Sequence, residues 1–209
     1  DCRHPKDVTF TDNLQEDLRR RDFTINAMAY NTKEGLIDIF GGMQDIENGM
    51  IRCVGNPQER FGEDALRIMR AVRFSAQLNY QIETQTKKAI IVLSHTLSRI
   101  SAERIQTELV KLLCAEYPGR IRDAWKMGIL QVILPELDRC MSVEQNNPHH
   151  MYSVGEHMIV ATENVRADRV LRLTMLLHDV AKPVTMTEDT RGIRHFHGHA
   201  EKGSEMARE

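Results

Sequence analysis

The chain has 209 residues, 41% hydrophobic and 28% charged, with a net charge of −2, ordinary proportions for a globular protein that exclude a disordered or fibrous class. Its apolar runs, such as 89–93 and 171–177, are far shorter than the roughly 20 residues of a membrane span, and no signal peptide opens the chain, so no membrane is expected and the cytoplasm is the default location. Cys2, Cys53, Cys114 and Cys140 form no C-x-x-C pair, which argues against a zinc ribbon or a disulfide framework.

In chain order, short apolar segments at 25–30 and 36–40 flank a polar stretch ending in Gly35, the pattern of a β-hairpin. Gly41 and Gly42 interrupt it, and 50–54 reads as a third short strand. Asn56 before Pro57 is a sound helix start, and helical periodicity follows at 64–77, 83–93, 102–113, 120–127, 154–165 and 169–180, with a boundary near Pro183. The polar connector ending at Pro148 reads as a domain boundary. Seven of the nine histidines lie beyond residue 140, so the two ends carry different chemistry. The start at Asp1, without methionine, and the polar helix-like run to Glu209 read as part of a longer protein. The expected architecture is mainly α, with a small β-containing piece in front.

On a helical wheel, residues 63–74 place Glu63, Asp64, Arg67, Arg70 and Arg73 on one half and Ala65, Ile68, Met69 and Val72 on the other. An amphipathic helix with a solvated charged face and pairs at i,i+3 and i,i+4 would look the same. Arginines in steps of three also form a ridge able to hold a triphosphate, because guanidinium stays charged and binds phosphate oxygens bidentately. An acid beside an arginine can read a base edge, the acid accepting from an exocyclic amino group and the arginine donating to a ring acceptor. Upstream, three arginines run into Asp22. That segment reads either as a basic turn capped by Asp22, with Asn26 holding the hairpin, or as an acceptor for a ribose hydroxyl.

Arg20 to Ala27 resembles the R-R-D-x-x-x-N-A motif of the class II tRNA nucleotidyltransferase and bacterial poly(A) polymerase family. Asp38-Ile39-Phe40-Gly41-Gly42 with Asp45 is similar to the flexible motif that follows there, with Ile39 where proline is usual; Glu63-Asp64-x-x-Arg67 resembles its E-D-x-x-R motif and 99–105 its neck motif. The resemblance implies that residues 1–55 are the end of a nucleotidyltransferase head and 56–147 a helical neck and RNA-binding region. It also implies that Arg21 and Asp22 contact the incoming nucleotide and that Asp64 and Arg67 template CTP and ATP against UTP and GTP. Asn26 belongs to the same set, while Arg70 and Arg73 hold phosphate. The expected activity is addition of C and A to tRNA 3′ ends. Mg²⁺ for the transfer comes, in that family, from a D-x-D strand; no D-x-D occurs in this sequence, so those ligands are expected upstream, and this chain alone is expected not to catalyse transfer.

Further along, a histidine on one helix and an adjacent His-Asp pair at the end of another suit a divalent transition metal, unless His157 and His178 are simply satisfied histidines. His157, His178-Asp179 and the segment around His197 and His199 resemble an HD phosphohydrolase domain, implying that 148–209 is the start of an all-helical HD domain with His157, His178 and Asp179 as metal ligands and His199 as a further candidate. Three alternatives stand beside CCA addition: a poly(A) polymerase, which shares these motifs; an HD-type metal-dependent phosphohydrolase; and a non-catalytic RNA-binding module.

Overall fold

The computed structural model describes residues 13–145 and 152–208; Cys2, His149, His150 and the expected boundary at 147/148 lie outside them. Helix α1 (Leu14–Arg19) is started by Asn13, whose side chain accepts from the amides of Gln15 and Glu16, groups the first turn cannot satisfy itself. A 3₁₀ turn (Thr24–Asn26) leads into the antiparallel hairpin of β1 (Ala29–Asn31) and β2 (Gly35–Ile37), in which Asn31 faces Gly35. Asn31 Oδ1 accepts from the Lys33 and Glu34 amides, and Gly35 takes the positive φ that the turn demands. The expected hairpin is present with shorter strands: Ile25 lies in the 3₁₀ turn.

Helix α2 (Gly42–Glu47) precedes β3 (Met50–Ile51), which pairs in parallel with β4 (Gln81–Ile82) across the intervening α3 (Pro57–Glu63) and α4 (Leu66–Leu78). The helix expected over 64–77 is α4, begun two residues later and preceded by the separate α3, so the wheel that joined Glu63 and Asp64 to the arginines does not hold. Asp64 breaks it with extended backbone, φ −147° and ψ 103°, while its Oδ1 accepts from the Leu66 amide at 3.0 Å, the local bonding by which aspartate competes with helix.

Then come α5 (Thr84–Leu93), α6 (Ala102–Leu113), α7 (Ile121–Lys126), α8 (Leu130–Ile133), α9 (Pro135–Met141), α10 (Val154–Glu163) and α11 (Arg169–Leu177). Pro183 does not end the helical part but sits in the first turn of α12 (Lys182–Thr185), where its missing N–H costs nothing. A small hairpin of β5 (Thr187–Glu188) and β6 (Arg194–His195) and helix α13 (His199–Met206) follow.

Helix α4 packs against α6, and α10 against α9 and α11. One apolar core runs from Phe23, Phe61 and Met69 through Leu112, Leu113 and Leu137 to Met158, Ile159 and Leu176, all fully buried. It crosses the expected boundary near residue 147. Gly155 explains the close approach of α10 to α9, since a Cβ there would collide with the Met141 backbone. Arg122 of α7 fastens the same helix by pairing with Glu156 and Glu163 at 2.6 and 2.8 Å. The hydrogen bonds that Arg122 donates to Glu163 and Glu156 push its pKa still higher.

Candidate functional site

Asp22 is fixed from both sides. The Thr24 amide donates to the Arg52 carbonyl at 2.9 Å and the Val54 amide to the Asp22 carbonyl at 3.0 Å, so residues 22–24 run as an added strand beside Cys53. Phe23 between them is fully buried, edge-on to Phe74 with centroids 5.8 Å apart. Truncating such a side chain costs ~3–5 kcal/mol, which anchors the acid next to it. Only 7% exposed, Asp22 accepts through Oδ1 from the Phe23 amide and the Asn26 side chain, and through Oδ2 from Arg70 Nε at 2.6 Å, with Arg70 Nη2 in ion-pair contact at 2.5 Å.

Behind it, the Thr24 hydroxyl donates to buried Asp45 at 2.6 Å, and Arg52 Nε reaches the same carboxylate. Gly42 passes so close that a Cβ would strike the Thr24 carbonyl oxygen, which gives the Gly41-Gly42 step its reason. Asp38 accepts from the Gly42 and Met43 amides and caps α2. Arg21, on the rim, donates to the Asn26 carbonyl and to Asp17.

The opposite wall is the break between α3 and α4. Arg67 donates through Nη1 to the Arg60 carbonyl and to Glu63 Oε2, and through Nη2 to the Arg20 carbonyl at 2.9 Å, leaving Nε–H and one Nη2 hydrogen uncommitted. Arg67 thus pairs with Glu63, four residues before it, whereas Asp64 pairs with Arg104 of α6, Nη2 to Oδ2 at 3.0 Å.

Between the walls lies a cleft of about 540 Å³ lined by Arg20, Arg21, Asp22, Asn26, Asp64, Leu66, Arg67, Arg70 and Arg104. Of the residues expected to bind nucleotide, Arg73 alone is elsewhere. It turns to Glu108 of α6 at 2.7 Å, in a pair too bent for a hydrogen bond, and stacks on Phe74 with its guanidinium 4.1 Å from the ring centroid. The reason is helical geometry: each step of three residues falls ~60° short of a full turn, so a ridge that starts in the cleft at Arg67 has wound into the α4–α6 interface by Arg73. Burial there lowers the Arg73 pKa, opposed by the Glu108 charge. Arg20, Leu66 and Arg104 line the cleft without having been singled out. For Arg104 a signal existed: Arg104 and Glu108 share one face of α6, complementary to Asp64 and Arg73.

A second cluster lies at the far end. His157 Nε2 and His178 Nε2 are 3.2 Å apart, and Asp179 Oδ2 is 3.2 Å from His178 Nε2 and 3.7 Å from His157 Nε2. His199 Nε2 is 3.4 Å from the other carboxylate oxygen. The Nδ1 atoms of His178 and His199 lie 2.8 and 2.7 Å from the carbonyls of Met175 and Phe196, which turns the Nε2 atoms toward the acid. Nitrogens and oxygens at such separations fit around one ion with ligand bonds of ~2.0–2.2 Å. Facing imidazole nitrogens require a proton or a cation between them.

A hydrogen bond to Asp179 raises the His178 pKa against the effect of burial. Burial opposes the Asp179 charge, but hydrogen bonds from His178 and Lys182 outweigh it and hold that carboxyl well below the usual range. Lys182, itself buried, sits 2.8 Å from Asp179 and 2.9 Å from Gln145 Oε1, so a metal here would share the acid with an ammonium.

A hairpin-bearing front, a helical body and an arginine-lined cleft between them define the class, that of polymerase heads joined to RNA-binding helices, and comparison with known proteins agrees. The family model described as "Poly A polymerase head domain" matches residues 1–52, and that described as "Probable RNA and SrmB- binding site of polymerase A" matches 79–141. The chain is 54% identical over 137 residues to the CCA-adding enzyme of Ligilactobacillus salivarius (strain UCC118), covering 66% of this chain and 32% of that protein. It is 38% identical over 186 residues to the CCA-adding enzyme of Oceanobacillus iheyensis, covering 87% and 45%. Among solved structures it is similar to the Bacillus stearothermophilus CCA-adding enzyme in complex with CTP, at 26% identity and TM-score 0.57 over 94% of this chain and 60% of that one. It is likewise similar to the Thermotoga maritima CCA-adding enzyme complexed with tRNA, at 26% identity and TM-score 0.56 over 82% and 49%. The chain belongs to the class II tRNA nucleotidyltransferase and poly(A) polymerase family, and spans less than half the length of these two curated relatives.

Proposed function

We propose that this chain is the nucleotide-selecting part of a CCA-adding tRNA nucleotidyltransferase, which transfers CMP and AMP from CTP and ATP to the tRNA 3′ end. The observation that carries the reading is the composition of the cleft: five arginines line it against two carboxylates, and with Glu63 shared between Arg67 and Arg60 and Asp17 paired to Arg21 on the rim a smaller excess of positive charge still remains for a polyphosphate. Arg70 and Asp22 form one pair, with the carboxylate accepting a ribose hydroxyl and Arg70 and Arg21 reaching phosphate.

Asp64 and the uncommitted donors of Arg67 form the base-reading edge. Cytosine and adenine each offer an amino donor beside a ring acceptor, matching acid and arginine; uracil and guanine offer a carbonyl and a ring N–H, which meet both groups with the wrong polarity. Mg²⁺ would be held by carboxylates outside this chain and would activate the attacking hydroxyl and stabilise the leaving pyrophosphate. The helical region following the cleft would grip tRNA through its basic residues and shape. No helix among the described residues is long and apolar enough to cross a membrane, and the cytoplasm, where tRNA is matured, is the proposed location.

The histidine cluster would bind a divalent transition metal through His157, His178 and Asp179, whose candidate ligand atoms all lie within 4.8 Å of one another, with His199 as a fourth ligand. It would serve phosphoester hydrolysis in an HD-like region.

Calorimetric titration of the chain with each of the four ribonucleoside triphosphates tests the main reading. CTP and ATP are expected to bind at least about tenfold tighter than UTP and GTP, the scale of one acid–arginine base contact. Equal affinity for all four would defeat it. Tight ATP binding with CTP rejected would move the assignment to a poly(A) polymerase, which has the same motifs.

A further inference from the structure

We propose that Arg104 of α6 is a positioning residue for base selection: it orients the Asp64 carboxylate that meets the base amino group. The inference rests on the nucleotide reading above and adds to it a residue from another element, forty positions along the chain from Asp64.

Asp64 belongs to neither helix. Its backbone is extended between α3 and α4, so helical geometry does not set where its side chain points. One anchor is local, the Leu66 amide on Oδ1 at 3.0 Å, and a carboxylate held by that bond alone can swing about it. The second anchor is Arg104 Nη2 on Oδ2 at 3.0 Å, and two bonds to two oxygens fix the plane of the group. The pair is largely shielded, with the Arg104 side chain 16% exposed and that of Asp64 31%, so solvent screens it only partly. Each carboxylate oxygen has two lone pairs; with one used on each, Asp64 still accepts from a base.

The contrast with Asp22 shows what kind of contact this is. Arg70 grips Asp22 through both Nε and Nη2, whereas Arg104 uses Nη2 on Asp64 and keeps its Nε buried without a hydrogen-bond partner. A buried donor left unmade is costly, and it is tolerated where the single contact is set by how α6 packs on α4. Base preference thereby depends on the seating of α6, the helix that continues from the cleft into the body.

The test compares Arg104→Ala, Arg104→Lys, Asp64→Asn and the double variant Asp64→Asn/Arg104→Ala with the unaltered chain. Dissociation constants for CTP, UTP, ATP and GTP are measured by calorimetry, with circular dichroism melting to confirm folding. In Arg104→Ala the CTP/UTP and ATP/GTP preferences are expected to fall about tenfold, while UTP affinity changes less than about twofold, because the phosphate-binding arginines are untouched. Arg104→Lys keeps the charge and the packing of the stem but not the planar fork, and should lose part of the preference. The double variant should be no less selective than Asp64→Asn. An unchanged preference in folded Arg104→Ala, or equal loss of affinity for all four nucleotides in either Arg104 variant, overturns the proposal. Should Arg104→Ala fail to fold, Arg104→Lys decides by the same criteria. An unaltered chain without base preference would instead overturn the proposed function, a separate result.

Discussion

The cleft and the histidine cluster both stand on a nearly buried aspartate, Asp22 at 7% and Asp179 at 4% exposure, yet their neighbours give the two acids opposite uses. Around Asp22 and Asp64 the carboxylates already have guanidinium partners and positive charge is left over, so the site has room for an anion. Around Asp179 imidazole nitrogens converge from three histidines, and the surplus is lone pairs, which call for a proton or a metal. Residue type alone does not tell the sites apart. The inventory of donors and acceptors left after internal pairing does.

The sharpest way to break this comparison is to remove one lone pair. His178→Ala is expected to lower affinity for Zn²⁺ or Mn²⁺ by ~100-fold or more, since losing a direct ligand should exceed the 10–100-fold cost of losing a group that merely supports one, while leaving CTP binding unchanged. Metal content measured by elemental mass spectrometry after dialysis against limiting metal checks it. Unchanged content would mean that the cluster is an internal ion-pair network closed by Lys182.

The next largest effect lies in the cleft. Arg70→Ala leaves the Asp22 carboxylate buried with only the Phe23 amide and Asn26 as partners. Breaking a fully buried pair costs ~3–5 kcal/mol, but Arg70 is 36% exposed and water can partly replace it, so ~1–3 kcal/mol of unfolding free energy is expected to be lost. Urea denaturation measures this. Nucleotide affinity should fall alike for all four bases, in contrast to Asp64→Asn, because the proposed function assigns Arg70 to the ribose and phosphate rather than to the base edge.

Much of this was legible in the sequence, and the failures have physical causes. Asn56-Pro57, the hairpin around Gly35 and helix α6 follow local rules that tertiary packing does not override. The wheel over 63–74 failed because Asp64 can satisfy itself by capping Leu66, a choice that periodicity does not register. Arg73 left the site because three-residue spacing drifts around a helix. Arg104 was legible only as part of the neck motif and not as a cleft residue, because its partner Asp64 lies forty residues away. The pairing of β3 with β4 is equally nonlocal: two residues per strand leave almost no alternation to read. The core continuing past residue 147 was hidden by a polar connector, since composition marks where chain is exposed but not whether the flanking helices share a core.

The smallest effect gives each region its own reporter. Cys53 sits behind the cleft near Arg67, Arg60 and Asp22, and Cys140 behind the cluster near Asp179 and Lys182; burial pushes both thiols up to about 12 from an ordinary 9.0. Because the folded value is the higher one, the unfolded chain releases these protons first. The stabilisation is complete below pH 9 and is lost as pH rises from there toward 12, with a slope of up to ~1.4 kcal/mol per pH unit for each thiol. Between pH 8 and 10.5 the unaltered chain should therefore lose stability more steeply than Cys53→Ala or Cys140→Ala, as read from urea midpoints, and identical slopes would mean that the thiols ionise normally. The two reporters should then diverge on loading the cluster with Zn²⁺. Part of the Cys140 shift comes from the Asp179 charge, which a bound cation offsets, so alkylation of Cys140 should quicken while that of Cys53 does not change.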